Sequence, residues 1–301
     1  MKSFYAIILT LSLAYGFSLP LLAIALESMA ASTRLIGLSA AMPALGWMVG
    51  TPFIPLALRR SSLNRLLLGL LVLALAAWVA LALWRTPLAW VGLRFLFGGA
   101  MGLVYRLVEY WLTVTAPDGQ RGRVIGSYNA SFLAGIILGS ALQPMFGVAT
   151  TRFAVGFGLL ALVTLAVGLR PAWPAPRVVL RWHPRDLAAT LRLAPMALAA
   201  ALVYAMFEDV PAYLLSIFAL RVGSSETVAA LTLTACALGA LIGTIAVGLL
   251  SDRIGRRRVL IGATTVGLAG AVLLPLFAHA PAGVFLSALF FWALGIEGIF
   301  V

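Results

Sequence analysis

Charge is what this chain has least of. Only 10% of its 301 residues are charged, and only nine are acidic, against about 25% charged in soluble domains. An ordinary soluble domain is thereby excluded. One cysteine, Cys236, sits in an apolar run, so no intrachain disulfide and no cysteine metal site can form. The two histidines, His183 and His279, lie in different polar loops, and no H-E-x-x-H, G-x-S-x-G or G-x-x-x-x-G-K-[ST] occurs. A zinc peptidase, a hydrolase with a nucleophile elbow and an ATP-driven pump therefore lack their chemistry. No enzyme activity, metal or cofactor is expected; a membrane-embedded enzyme is the remote alternative.

What is present is apolar surface: 63% of the residues are hydrophobic and the mean hydropathy is +1.08. It is spread along the whole chain, which implies many spans of about 20 residues, each helical because lipid offers the backbone no outside partner. Ten spans are predicted, near 4–26, 36–57, 66–84, 88–114, 124–147, 153–170, 194–217, 228–250, 259–278 and 283–301. The first resembles a signal peptide in its Lys2 and its Ala23-Ile24-Ala25, but its length and the lack of a soluble segment after it favour a retained helix.

The net charge of +12 is mostly topology. With the N-terminus inside, Lys2, Arg59, Arg60, Arg65, Arg121, Arg123, the five arginines between Arg170 and Arg192, Arg253 and Arg256 to Arg258 all fall on one side, against Arg34, Arg85, Arg152 and Arg221 on the other. That asymmetry orients the chain with its N-terminus in the cytoplasm. Basic residues scattered over short alternate loops also exclude nucleic acid as a partner. The proline- and arginine-rich stretch 171–193 separates an N-terminal six-helix half, 1–170, from a second half, 194–301.

Sliding the chain by 193 to 196 positions sets the loop Arg59 to Arg65 on Asp252 to Arg258, and Gly99 and Gly102 on Gly295 and Gly298. Matching span order supports an internal repeat of the kind transporters use. By that repeat the second half stops inside its fourth helix, roughly 65 residues short of a six-plus-six design. A non-transporting fragment or remnant of a longer carrier is therefore the alternative to a working transporter.

The loop Gly248-Leu-Leu-Ser-Asp252-Arg253-Ile-Gly255-Arg256-Arg257-Arg258 resembles the G-x-L-x-D-R-x-G-R-[RK] signature of the major facilitator superfamily. Its glycines permit a tight turn, and Asp252 can face a helix N-terminus. The resemblance implies an all-α integral membrane fold of six-plus-six helices and a conformational latch at Gly248, Asp252, Arg253, Gly255, Arg256 and Arg257. The equivalent first-half loop departs from the pattern, with Arg59 in place of Asp and Ser62 in place of Gly. Arg94-Phe-Leu-Phe-Gly98-Gly-Ala-Met-Gly102 is similar to the family's R-x-x-x-G-x-x-x-G element on the fourth span. In the fifth, Pro144 stands too far from Gly135 and Gly139 to complete the antiporter motif.

Ionisable residues at membrane depth cost several kcal/mol and are functional candidates. Arg94, Gly98, Gly102, Tyr105, Arg106 and Glu109 fall within about 120° on span four; such a stripe belongs on a water-filled cavity or a tight helix contact. Arg106 and Glu109, three apart, can pair, either structurally or with Glu109 carrying a proton that Arg106 opposes until substrate intervenes. Arg94, nearer the outer end, can snorkel or serve substrate. Span seven offers Tyr204, Glu208 and Asp209, span ten Glu297, and span one the neutral Tyr15 and Ser18. The resemblance places spans one, four, seven and ten around the central cavity. The leading expectation is a monomeric, proton-coupled secondary transporter that moves a small-molecule substrate through the lipid bilayer by alternating access.

Overall fold

Serine hydroxyls start three of the long helices. Ser32, Ser62 and Ser225 hold extended backbone, and their side chains accept hydrogen bonds from the N–H groups of Leu35, Arg65 and Val228. Each satisfies one donor that a helix start leaves orphaned. A computed structural model describes residues 2–117, 120–169, 195 and 213–297, and among them there is helix and turn but no strand. The helices are α1 (Lys2–Ser28), α2 (Thr33–Gly50), α3 (Ile54–Arg60), α4 (Leu63–Leu83), α5 (Pro87–Thr115), α6 (Arg121–Leu142), α7 (Ala149–Gly168), α8 (Glu226–Ile254), α9 (Arg256–Leu273) and α10 (Ala282–Glu297). Residue 195 and residues 213–221 are also helical, and the rest of the expected seventh span, 194 and 196–212, lies outside the described residues.

Eight of the described helical segments are long and apolar enough to cross a membrane, and Ala282–Ile296 is a shorter apolar helix. Nine of the ten expected spans thus have a helix close to their predicted limits. The second is not one uninterrupted α-helix. Pro52 and Pro55 supply no backbone N–H, and the chain tightens through a 3-10 turn at Thr51–Phe53 between α2 and α3. The same happens where α6 passes into Gln143–Met145 and α9 into Leu274–Phe277, at Pro144 and Pro275.

Contacts gather the chain into two units. One takes Met1–Tyr15, Ala25–Gly135 and Phe146–His183; the other takes Gly16–Ile24, Ile136–Met145 and Pro184–Val301. Unit 1 has its core in Trp78, Trp90, Leu67, Leu71 and Met101, all at most 1% exposed. Unit 2 packs Phe285, Leu289 and Ala293 of α10 against Ala229 and Ala230 of α8, with Leu215 and Ala219.

Within unit 1, α2 and α5 cross at a point where backbones touch. A methyl group on Gly99 would stand 2.9 Å from the backbone of Gly46, and one on Gly46 would collide with the carbonyl oxygen of Phe95. Unit 2 repeats the arrangement: a methyl on Gly239 of α8 would collide with the carbonyl of Phe290 and meet Ala293 of α10. Gly46 to Gly239 is an offset of 193 and Phe95 to Phe290 one of 195. The internal repeat is therefore a repeat of packing, built on small residues because van der Waals contact is the main attraction between helices in lipid. Replacing Gly46 with Val is expected to cost about 1–3 kcal/mol through forced separation of α2 and α5, seen as a lower midpoint in thermal unfolding of the detergent-solubilised protein.

Candidate functional site

Helix α5 carries the candidate site, and its polar stripe divides between α2 on one side and α1 and α6 on the other. Gly98 and Gly102 face α2: added methyl groups would strike Pro43 and, at 2.8 Å, Trp47. For the glycines the stripe is a tight helix contact. Arg106, one turn further, lays its guanidinium 5.0 Å from the centroid of the Trp47 ring. Its Nη1 also donates to Glu109 Oε2 at 3.0 Å, with the two side chains 51% and 42% exposed. Tyr105 turns instead toward α1 and α6. Its hydroxyl donates to Ser12 Oγ at 3.2 Å, and its ring meets Tyr15 edge-on at 5.9 Å and Phe132 at 5.1 Å. Tyr15 also lies 6.5 Å from Phe97. Tyr128 of α6 is close enough to Arg106 and Glu109 to feel both charges.

These groups form an aromatic wall with a hydroxyl at its edge and an ion pair at its end. Exposure decides what the ion pair can do. An ion pair open to water is worth about 0.2–1 kcal/mol, whereas removing one partner of a fully buried pair costs about 3–5 kcal/mol. The Arg106–Glu109 contact, with both side chains about half exposed, is not sealed inside the protein. Arg94 is different. It is 2% exposed, already partnered, and about 18 Å along the helix from Arg106 at 1.5 Å per residue. It does not snorkel to the outer end.

Of the other residues singled out from the sequence, Tyr204, Glu208 and Asp209 lie outside the described residues, as do the side chains of Asp252, Arg256 and Glu297 and the surroundings of Gly248. Arg253 and Arg257 are exposed. Pattern reading passed over Ser12, Trp47 and Phe132, because a serine or an aromatic in an apolar helix carries no periodic mark of its own.

A model of the major facilitator superfamily matches residues 4–301. The chain belongs to that superfamily. It is 25% identical over 270 residues to the uncharacterised MFS-type transporter YfkF of Bacillus subtilis (strain 168), which covers 86% of this chain and 68% of that protein. Among solved structures the chain resembles a D-xylose–proton symporter, with TM-score 0.73, 17% identity and coverage of 98% of this chain and 80% of that one. It also resembles the nucleoside transporter NupG, with TM-score 0.72, 14% identity and coverage of 99% and 78%. A bacterial homologue of the human lysosomal transporter Spinster gives TM-score 0.75 at 15% identity, with coverage of 99% and 72%. The protein is accordingly a multi-pass membrane transporter of the superfamily, with the superfamily's helical fold.

In this superfamily member the loop between α8 and α9 and the first-half loop equivalent to it are built differently. Gly255, between α8 and α9, has φ +86° and ψ 143°, a conformation that costs a side-chain-bearing residue about 1–3 kcal/mol. Its counterpart Ser62 has φ −68° and ψ 152°, ordinary extended backbone, and caps α4 while its hydroxyl also accepts from Arg65 Nε at 3.2 Å. The missing glycine in the first loop therefore reflects a turn that does not need one. Gly255→Val should lower the unfolding midpoint, and Ser62→Gly should cost only a few tenths of a kcal/mol in helix capping, both read by thermal unfolding in the same detergent.

Proposed function

We propose that the protein is a proton-coupled secondary transporter that moves a small, polar, hydroxylated solute across a bacterial inner membrane by alternating access, as a monomer with its N-terminus in the cytoplasm. The observation that carries this reading is the half-exposed Arg106–Glu109 pair at the end of the Tyr15–Tyr105–Ser12 wall. A carboxylate that couples transport must lose its proton facing one side and regain it facing the other, so it needs a partner it can leave. Aromatic faces and a hydroxyl suit a sugar or nucleoside ring better than an apolar drug. Two solved relatives in fold, a D-xylose–proton symporter and a nucleoside transporter, act on solutes of that kind. The asymmetry of arginines across alternate loops supports the orientation.

Alternating access requires the first-repeat helices to part from the second-repeat helices on one side at a time. In unit 2, Ser140 of α6 meets Thr234 of α8, oxygen to oxygen at 2.8 Å. We read this as a contact that holds one side shut and must break during each cycle. The test is reconstitution of the protein in vesicles and a panel of radiolabelled pentoses, nucleosides and apolar cations. Uptake of one hydroxylated class driven by a pH gradient supports the proposal; uptake confined to the apolar cations would refute the substrate class.

A further inference from the structure

A groove of about 290 Å³ opens on unit 1 where the end of α4 meets the start of α7. Its walls are Trp78, Val79, Leu83, Phe153 and Phe157, and Arg85 stands at its mouth. Trp78 forms the floor: it is 1% exposed, donates from Nε1 to the carbonyl of Phe153 at 3.0 Å and occupies the space that a side chain at position 156 would need. The groove is therefore a fixed shape, and not a gap between loose side chains. Its volume sits at the low end of ligand sites, about 300–1,000 Å³, enough for part of a chain but small for a whole drug-sized molecule.

Two observations identify the occupant. The first is depth. Trp84 is 64% exposed beside the groove, its carbonyl accepts from Trp90 Nε1 at 2.9 Å, and tryptophans collect at the level of lipid headgroups. The second is charge. Arg85 uses Nε on the carbonyl of Ala82 at 3.3 Å and stacks 5.7 Å above the Phe153 ring. No carboxylate among the described residues pairs with it, so its terminal nitrogens present a planar donor fork suited to a phosphate. We propose that this groove binds an anionic glycerophospholipid, with one acyl segment against Trp78, Phe153 and Phe157 and the headgroup phosphate on Arg85.

The test is native mass spectrometry of the full chain released from nanodiscs containing equal amounts of phosphatidylglycerol and phosphatidylethanolamine. One phosphatidylglycerol should be retained in preference to phosphatidylethanolamine. Arg85→Gln should reduce that preference about fivefold, the worth of one arginine at an anionic surface. Val79→Trp, which fills the groove from a position 37% exposed, should release both lipids while leaving Arg85 in place. Equal retention of the two lipids by the unaltered protein, or a preference that Arg85→Gln leaves unchanged, would overturn the assignment; so would retention unaffected by Val79→Trp.

Discussion

Glu109→Gln is expected to lower proton-driven accumulation of the solute roughly tenfold or more, the scale on which loss of a proton-transferring side chain acts, while leaving downhill exchange measurable. The amide keeps the shape of the carboxyl group and can still accept from Arg106, so the packing of α5 against α2 is not disturbed. What it removes is the ability to bind and release a proton. The contact it alters is a 3.0 Å pair with both side chains about half exposed, so the stability cost should stay within about 1 kcal/mol. A fall in accumulation without a fall in unfolding midpoint separates coupling from folding. Glu208→Gln, added to Glu109→Gln, covers the case in which the two carboxylates share the task. Vesicles carrying both substitutions and still accumulating solute on a pH gradient would rule out coupling through these residues.

The second large effect is expected at Ser140 and Thr234. Their oxygens are 2.8 Å apart, which brings paired cysteines within reach of a disulfide. With Cys236 replaced by alanine, oxidising Ser140→Cys/Thr234→Cys should abolish transport, and dithiothreitol should restore it. The reasoning is mechanical. A neutral hydroxyl pair contributes about 0.5–1.5 kcal/mol and can open in every cycle; a covalent bridge cannot. Full transport in the oxidised double-cysteine protein, with the disulfide verified by mass shift, would mean that this contact does not part during the cycle.

Several elements of both fold and site could be read directly in the sequence, for physical reasons that differ from residue to residue. Lipid forces an apolar run into a helix, so nine of the ten expected spans coincide with helices, with small shifts at their ends. Pro52 and Pro55 were visible, but apolarity continues through them, and hydropathy alone does not register a break in the backbone ladder. The repeat showed in loop spacing; only packing revealed that Gly46 and Gly239 are its matched contacts. Arg106 and Glu109 were readable as a pair because three residues of helix place them together. The meeting of Tyr105 with Ser12 was not, since the two are 93 residues apart and nothing local marks either. The stripe on α5 was correctly polar and small along one face, yet sequence could not say that its glycines would face Pro43 and Trp47 while Tyr105 faced α1. Arg94 shows a further limit. Its distance from the helix end allowed snorkelling, but its 2% exposure is set by neighbours that no helical wheel contains.

Simultaneous recording of solute and proton entry bears most directly on the central reading of a proton-coupled transporter. Proteoliposomes holding a pH-sensitive dye and no membrane potential would be given the solute identified by the uptake panel. The expected result is internal acidification or alkalinisation in fixed proportion to solute moved, lost with Glu109→Gln. Solute movement with no proton movement, equally fast in the Glu109→Gln protein, would contradict it.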